Sequence, residues 1–446
     1  MPGGRVSIET CHQKANRLIA FLIHLPVLWL LCRILYQRSN AQPLLAFFWW
    51  GLLGKLLAGV GIGLLYSYYY PYRGDTFAYF DDAARLASFA WQEPVSYLKI
   101  LFFTDSGAES FPATLPLWEQ PRAFFMVKLV SVLCLFTFNN YWLCSLYLTL
   151  FCFYELWKLA NCLSVLFPSS HIAAALAFLL LPSVMFWSAG LTKESIAMAC
   201  IAGIVRLFIT WRFTLAQSGN VSFTLSWLRL PLYLLLLWKL KYYYLSALLP
   251  SILAFIVTDL AVNKWFSRIH IGFKISLLVS AFAAILVTST FLHPNLRIPR
   301  FVEALVTNHD LTVVVSAPHN IIHFTGLQPT PESVLKHLPE ALFSGLYRPL
   351  LWEGTSLFQW YIGFENLLLL ALTLFVLLTR RNIWPAKPHT YVLLLVTAFM
   401  YISLLAALLA LSSPNFGALS RYKVAFMPFF AYMLLWAVFP ETNKKS

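Results

Sequence analysis

The chain has 446 residues, of which 60% are hydrophobic, 17% aromatic and only 11% charged. A soluble chain carries about a quarter charged residues, so this composition cannot cover a water-soluble globule, and it excludes collagen-like, disordered, disulfide-stapled and nucleic-acid-binding classes. With 32 Lys and Arg against 18 Asp and Glu, the net charge of +14 reads as a basic cytoplasmic rim together with a site for an anionic substrate.

The expected fold is all-α, a polytopic transmembrane helix bundle of about 10–13 spans forming one integral-membrane domain over residues 1–446. Arg5, Lys14 and Arg17 precede the apolar run from Leu18 to Tyr36. That run is long for a signal peptide and no small-residue cleavage site follows it, so it reads as a retained helix. Hydropathy then marks spans near 44–66, 123–138, 141–160, 172–190, 196–213, 225–238, 245–262, 272–292, 362–379, 390–411 and 424–439. The seven cysteines all precede residue 201 and form no CxxC pair, which argues against a metal or disulfide role.

Two hydrophilic stretches interrupt the pattern. Residues 67–122 hold seven of the 18 acids, and residues 293–361 hold five of the ten histidines. Both read as exterior loops carrying interfacial helices. Lys264, Arg268 and Lys274, then Arg380, Arg381 and Lys387, then Lys444 and Lys445, mark cytoplasmic positions. Alternation puts 293–361, the Thr192–Glu194 turn, Lys239 to Tyr244 and Ser412 to Lys423 on the exterior. Counting back through the same spans, however, puts 67–122 in the cytoplasm. Either one span before residue 190 is miscounted or Asp75 lies on the wrong side to join the other candidates.

Three groups of residues can carry chemistry. Asp75 follows an apolar span and the breakers Pro71 and Gly74, among aromatics that include Tyr79. A partly desolvated carboxylate there can act as a general base, or it can simply cap a helix over 76–90. Lys193 and Glu194 occupy a polar turn between two apolar helices, as an interfacial ion pair or a substrate contact. Lys239 and Lys241, Arg348, and Arg421 with Lys423 sit beside tyrosine or tryptophan at helix ends. Each alone reads as an interfacial anchor, but several on the face opposite the basic rim suggest a phosphate clamp. Glu365 heads an apolar run, where it can pair with Arg348 or cap its helix. His319 and His323 could share a helix face but have no acid beside them, and no metal is expected there. Asn220-Val221-Ser222 fits a glycosylation sequon.

In these motifs the chain resembles the GT-C superfamily, polytopic glycosyltransferases that use lipid-phosphate-linked sugars. Gly74-Asp75-Thr76 with Tyr79 and Ala83 resembles the acidic motif of their first exterior loop. Ser188-Ala189-Gly190-Leu191-Thr192-Lys193-Glu194 resembles the acidic turn of oligosaccharyltransferase subunits, and Arg421-Tyr422-Lys423 to Pro428 resembles a late arginine-tyrosine motif. The arrangement, with Asn415-Phe416-Gly417 and Arg348 to Glu353, also looks like inner-membrane proteins of Bacteroidetes-type bacteria. Asp75 is followed by threonine rather than a second acid, and Lys193 replaces a small or amide residue. These departures favour a metal-free mechanism like that of the protein mannosyltransferase branch.

The resemblance implies transfer of a sugar from a polyprenyl-phosphate donor to an acceptor hydroxyl of a glycan, lipid or protein, at the exterior face of a bacterial inner membrane, with no cofactor. Asp75 would be the base. Lys193, Glu194, Lys241, Arg348, Arg421, Lys423 and Tyr79 would bind substrate, with membrane lipid and the lipid-linked sugar phosphate as partners. An O-antigen-type polymerase or ligase is the enzymatic alternative, and a transporter or lipid flippase the non-enzymatic one.

Overall fold

The computed structural model describes residues 11–69, 74–103, 112–213, 227–266, 268–291, 297–379 and 389–439. Its first helices are α1 (Cys11–Gln37), α2 (Phe48–Tyr68), α3 (Gly74–Gln92), α4 (Pro94–Phe103), α5 (Pro121–Thr137) and α6 (Tyr141–Leu166). The middle of the chain forms α7 (His171–Ala175), α8 (Pro182–Trp187), α9 (Lys193–Arg212), α10 (Leu230–Trp265) and α11 (Ile271–Ser289). Then come α12 (Ile298–Val315), α13 (Pro331–Tyr347), α14 (Leu357–Leu378), α15 (His389–Ser412), α16 (Phe416–Tyr422) and α17 (Met427–Val438). Among the described residues the extended pairing is one antiparallel bridge, Ile321 with Asn415.

Among the described residues eight helices, α1, α2, α6, α9, α10, α11, α14 and α15, are long and apolar enough to cross a membrane. The protein is an all-α, multi-pass membrane helix bundle. Several helices wear their apolar side chains outward, as a lipid solvent requires: only 17% of the apolar window of α1 and 11% of that of α11 is buried.

Shorter pieces make further passes. The chain leaves α6 and enters α7 where the Ser170 hydroxyl lies 2.7 Å from that of Tyr432 and the Trp436 indole donates to Ser169. It then runs through a π-helical segment, Leu176–Leu180, and α8, with Pro182 in the first turn of α8. A proline interrupts the hydrogen-bond ladder without costing α8 anything at its first turn.

α10 bends at Lys241, whose φ of −147° and ψ of 61° are not helical. Tyr233 of its first arm packs on Gly203 and bonds Glu155, while Phe255 and Asp259 of its second arm meet Phe208 and Arg212. Both arms therefore lie on α9, and the bend sits at the N-terminal end of α9. The two expected spans at 225–238 and 245–262 are these arms, described from residue 227 on, and the expected Lys239 to Tyr244 turn is the bend.

The expected span at 123–138 is not a crossing. Arg122, in the first turn of α5, stacks 4.4 Å over the ring of Tyr242 beside the bend of α10. At the other end of α5 the Thr137 hydroxyl lies 3.1 Å from the Cys144 sulfur in the first turn of α6. Both ends of α5 are thus held at one end of the bundle, where it packs along α3. Taking this helix out of the count brings 67–122 to the same face as the Thr192–Glu194 turn.

The opposite end collects cations. Arg212 closes α9, Lys264 lies in the last turn of α10, and Lys274 in the first turn of α11. Lys274 and Arg212 lie near His389 at the start of α15. The basic positions at 380–387 and 444–445 lie outside the described residues.

Candidate functional site

The short helix α8 aims the polar turn that follows it. At its N-terminus the Glu365 carboxylate of α14 accepts the Ser183 backbone N–H at 3.0 Å and the Ser183 hydroxyl. At its C-terminus the buried Lys55 ammonium of α2 donates to the Val184 carbonyl at 3.0 Å and to the Ser188 hydroxyl. An acid at the start and a base at the end complement the helix dipole. Glu365 therefore braces α8 and does not pair with Arg348.

The chain then turns at Gly190, whose φ is +69°. A Cβ there would lie 3.2 Å from Ile62, so both the conformation and the close approach to α2 require glycine. The Gly190 N–H donates to the Thr149 hydroxyl at 2.8 Å. Thr192 caps α9 by accepting the Ser195 N–H at 3.2 Å, and the Ser195 hydroxyl donates to the Gly190 carbonyl at 3.0 Å. These bonds hold Glu194 in the first turn of α9, where its exposure is 0%.

Six of the eight expected residues meet here. Glu194 Oε1 is 2.9 Å from Lys241 Nζ, and Glu194 Oε2 is 2.9 Å from Arg421 Nη2. Arg421 Nη1 reaches Asp75 Oδ2 and the Tyr66 hydroxyl, both at 3.2 Å. Lys193 stacks 4.8 Å over the ring of Tyr79, so the turn's lysine faces α3 rather than Glu194. Burial, with Asp75 adding to it, pushes the Tyr79 phenol well above the usual tyrosine range, which keeps it a proton donor.

Asp75 differs from Glu194 in access: its side chain remains 58% exposed while Glu194 is sealed. It lies in the first turn of α3 right after Gly74, whose φ is +54° and whose missing Cβ leaves room for the Tyr66 ring. Asp75 presents a carboxylate at the bundle's surface, held by a cation that a buried acid holds in turn.

The other two expected residues lie in a neighbouring cluster. Arg348 pairs with Glu353 through Nε at 2.7 Å and stacks 5.4 Å from the ring of Phe416. Lys423 donates to the carbonyls of Leu346 at 3.2 Å and Arg348 at 2.6 Å. Burial, opposed by Glu365 and Glu353, pushes the Lys423 ammonium down to about 7. Both cations are committed to bracing the chain after α13 and do not join the group around Glu194.

Three tyrosines complete the site: Tyr422, the tyrosine of the arginine-tyrosine motif, and Tyr66 and Tyr141, which the sequence reading did not single out. Tyr66 bonds Arg421, Tyr422 lies 3.8 Å under the Lys241 ammonium, and Tyr141 bonds Thr76 at 2.8 Å. The only sequence signal of Tyr66 and Tyr141 is a position at one end of an apolar run, which tyrosine often takes for interfacial reasons alone.

Among the described residues no three His, Cys, Asp or Glu side chains come together to hold a metal ion. His319 lies in a 3-10 turn and His323 in extended chain beyond it, so they do not share a helix face. Asn220 falls outside the described residues. The chain matches no protein-family model, no curated protein and no solved structure.

Proposed function

We propose that the protein is a GT-C-like membrane glycosyltransferase that moves a sugar from a polyprenyl-phosphate donor to an acceptor hydroxyl at the exterior face of a bacterial inner membrane. The observation that carries this reading is the exposed Asp75 carboxylate held by Arg421, beside Lys241 and Lys193. A base for a hydroxyl and cations for a phosphate lie within one cluster.

In the proposed reaction the Asp75 carboxylate takes the acceptor proton and the acceptor oxygen bonds the anomeric carbon. The bond from that carbon to the phosphate oxygen breaks, and its electron pair leaves with the phosphate. Charge develops on that oxygen, and Arg421, Lys241 and Lys193 are positioned cations that stabilise it. The Nε–H of Arg421 is buried without a hydrogen-bond partner among the described residues, which leaves a donor for a phosphate oxygen. Glu194 orients Arg421 and Lys241. An apolar groove of ≈300 Å³ between α2, α8 and α14, with Met185, Phe186 and Phe358 in its wall, suits the prenyl chain. The far end carries the basic rim, so the positive-inside rule favours the exterior for this cluster.

A lipid flippase is the second reading. It is favoured by the broken pass through α7 and α8, since transporters use discontinuous helices, and by ion pairs inside the bundle such as Arg206 with Glu155 at 3.5 Å. The two readings separate in vesicles holding purified protein and a panel of radiolabelled polyprenyl-phosphate sugars. Free polyprenyl phosphate released in step with a glycosylated acceptor supports transfer. Movement of intact donor between leaflets without bond cleavage supports the flippase and overturns transfer.

A further inference from the structure

The far end of the bundle holds a cavity that the proposed chemistry does not use. It has a volume of ≈170 Å³ and lies where the C-terminal end of α1, the turn into α2 and the C-terminal half of α6 meet. Its polar lining is Arg38, Ser39, Gln42, Tyr154, Lys158 and Asn161, with no carboxylate. Ser39 and Asn161 are occupied in building the wall: the Ser39 hydroxyl accepts the Trp157 indole N–H at 2.9 Å, and Asn161 Oδ1 accepts the Leu44 N–H at 3.2 Å.

The remaining polar groups have donors to give. Lys158 lies 4.9 Å over the Tyr154 ring, and Arg229 donates to the Tyr154 hydroxyl at 3.4 Å, bringing a third cation to the rim. The nearest acid in sequence, Glu155, is turned away and engaged by Tyr233 at 2.6 Å and Arg206. Among the described residues neither Arg38 nor Lys158 has a carboxylate within ion-pair distance. Two cations and an amide at the edge of a hollow whose wall is otherwise largely apolar, with Phe48 and Trp157 in it, suit a phosphate ester whose remainder is apolar.

We infer that this cavity binds the phosphate of an anionic phospholipid, at the end of the bundle opposite the Glu194 cluster. The position explains what such a lipid would do. α1 buries little of its apolar face against the rest of the bundle. A headgroup gripped by Arg38 at the end of α1 and by Lys158 on α6 would tie the two helices together.

The test uses the full chain purified in a zwitterionic detergent and reads thermal unfolding with phosphatidylglycerol, phosphatidylcholine or inorganic phosphate added. Phosphatidylglycerol should raise the midpoint by a few degrees, as a ligand present well above its dissociation constant does. Phosphatidylcholine should not, and the rise should vanish in R38Q/K158Q. Native mass spectrometry of the unaltered protein should retain phosphatidylglycerol, which keeps the proposal testable if that variant does not fold. An equal rise from phosphatidylglycerol in the folded variant would overturn the site. An equal rise from inorganic phosphate would overturn the lipid as its source. No retained lipid together with no rise would overturn both.

Discussion

Arg421 and Asp75 are 346 residues apart in sequence, yet Arg421 Nη1 lies 3.2 Å from the Asp75 carboxylate while Nη2 lies 2.9 Å from buried Glu194. One guanidinium joins the acid that a substrate can reach to the acid that none can. Substitutions at the two acids should therefore have opposite signatures.

Glu194→Gln should act on stability. It leaves Lys241 and Arg421 buried beside a neutral group, and removing one partner of a buried pair costs about 3–5 kcal/mol. The expected result is a large drop in thermal midpoint in detergent. An unchanged midpoint would mean that water reaches the cluster.

Gly190→Ala should also destabilise. The residue would be held at a φ of +69° with its Cβ 3.2 Å from Ile62, and the left-handed conformation alone costs about 1–2 kcal/mol. A midpoint lowered by several degrees is expected, with Ala189→Gly, at the preceding position, as the comparison for loss of the turn's geometry.

Lys423 should contribute a pH-dependent term. Its folded value near 7 lies below the ordinary lysine value, so the unfolded chain holds more protons between those two points. Stability from this group is therefore least at acid pH and rises as pH climbs through about 7 toward the unfolded value. Midpoints of the parent and Lys423→Met, compared at about pH 6 and about pH 8.5, should diverge in favour of the parent at the higher pH. A constant difference would show that Lys423 does not titrate in that window.

The fold was legible in sequence wherever an apolar run was long enough to be unambiguous, as at α2, α6, α9 and α15. It was misread at α5. An interfacial helix of 17 residues with an apolar face packed on α3 has the hydropathy of a thin crossing, and only the contacts at its two ends reveal that it never leaves one side. The break inside the pass through α7 and α8 was equally hidden, because the residues that brace it, Lys55 and Glu365, lie far away in sequence.

The candidate site divides in the same way. Asp75, Glu194, Lys241 and Arg421 stood out because a charge at the end of an apolar run is costly without a purpose. Arg348 and Lys423 carry the same signal, but a sequence does not reveal that a cation is committed to a carbonyl or to a nearby glutamate. Tyr66 and Tyr141 gave the converse error, since a tyrosine at a helix end needs no function to explain it.

The account rests on Asp75 as a base rather than as a helix cap, and the most direct measurement is sugar transfer by Asp75→Asn in lipid vesicles. The side chain is largely exposed and lies within the first turn of α3 rather than at its N-cap, and asparagine keeps its shape, so the variant should fold with a midpoint near the parent's. With an active polyprenyl-phosphate donor, its transfer rate should fall by roughly 10²–10⁴-fold, the contribution of a positioned general base. A folded Asp75→Asn protein that transfers sugar at the parent's rate would contradict the account.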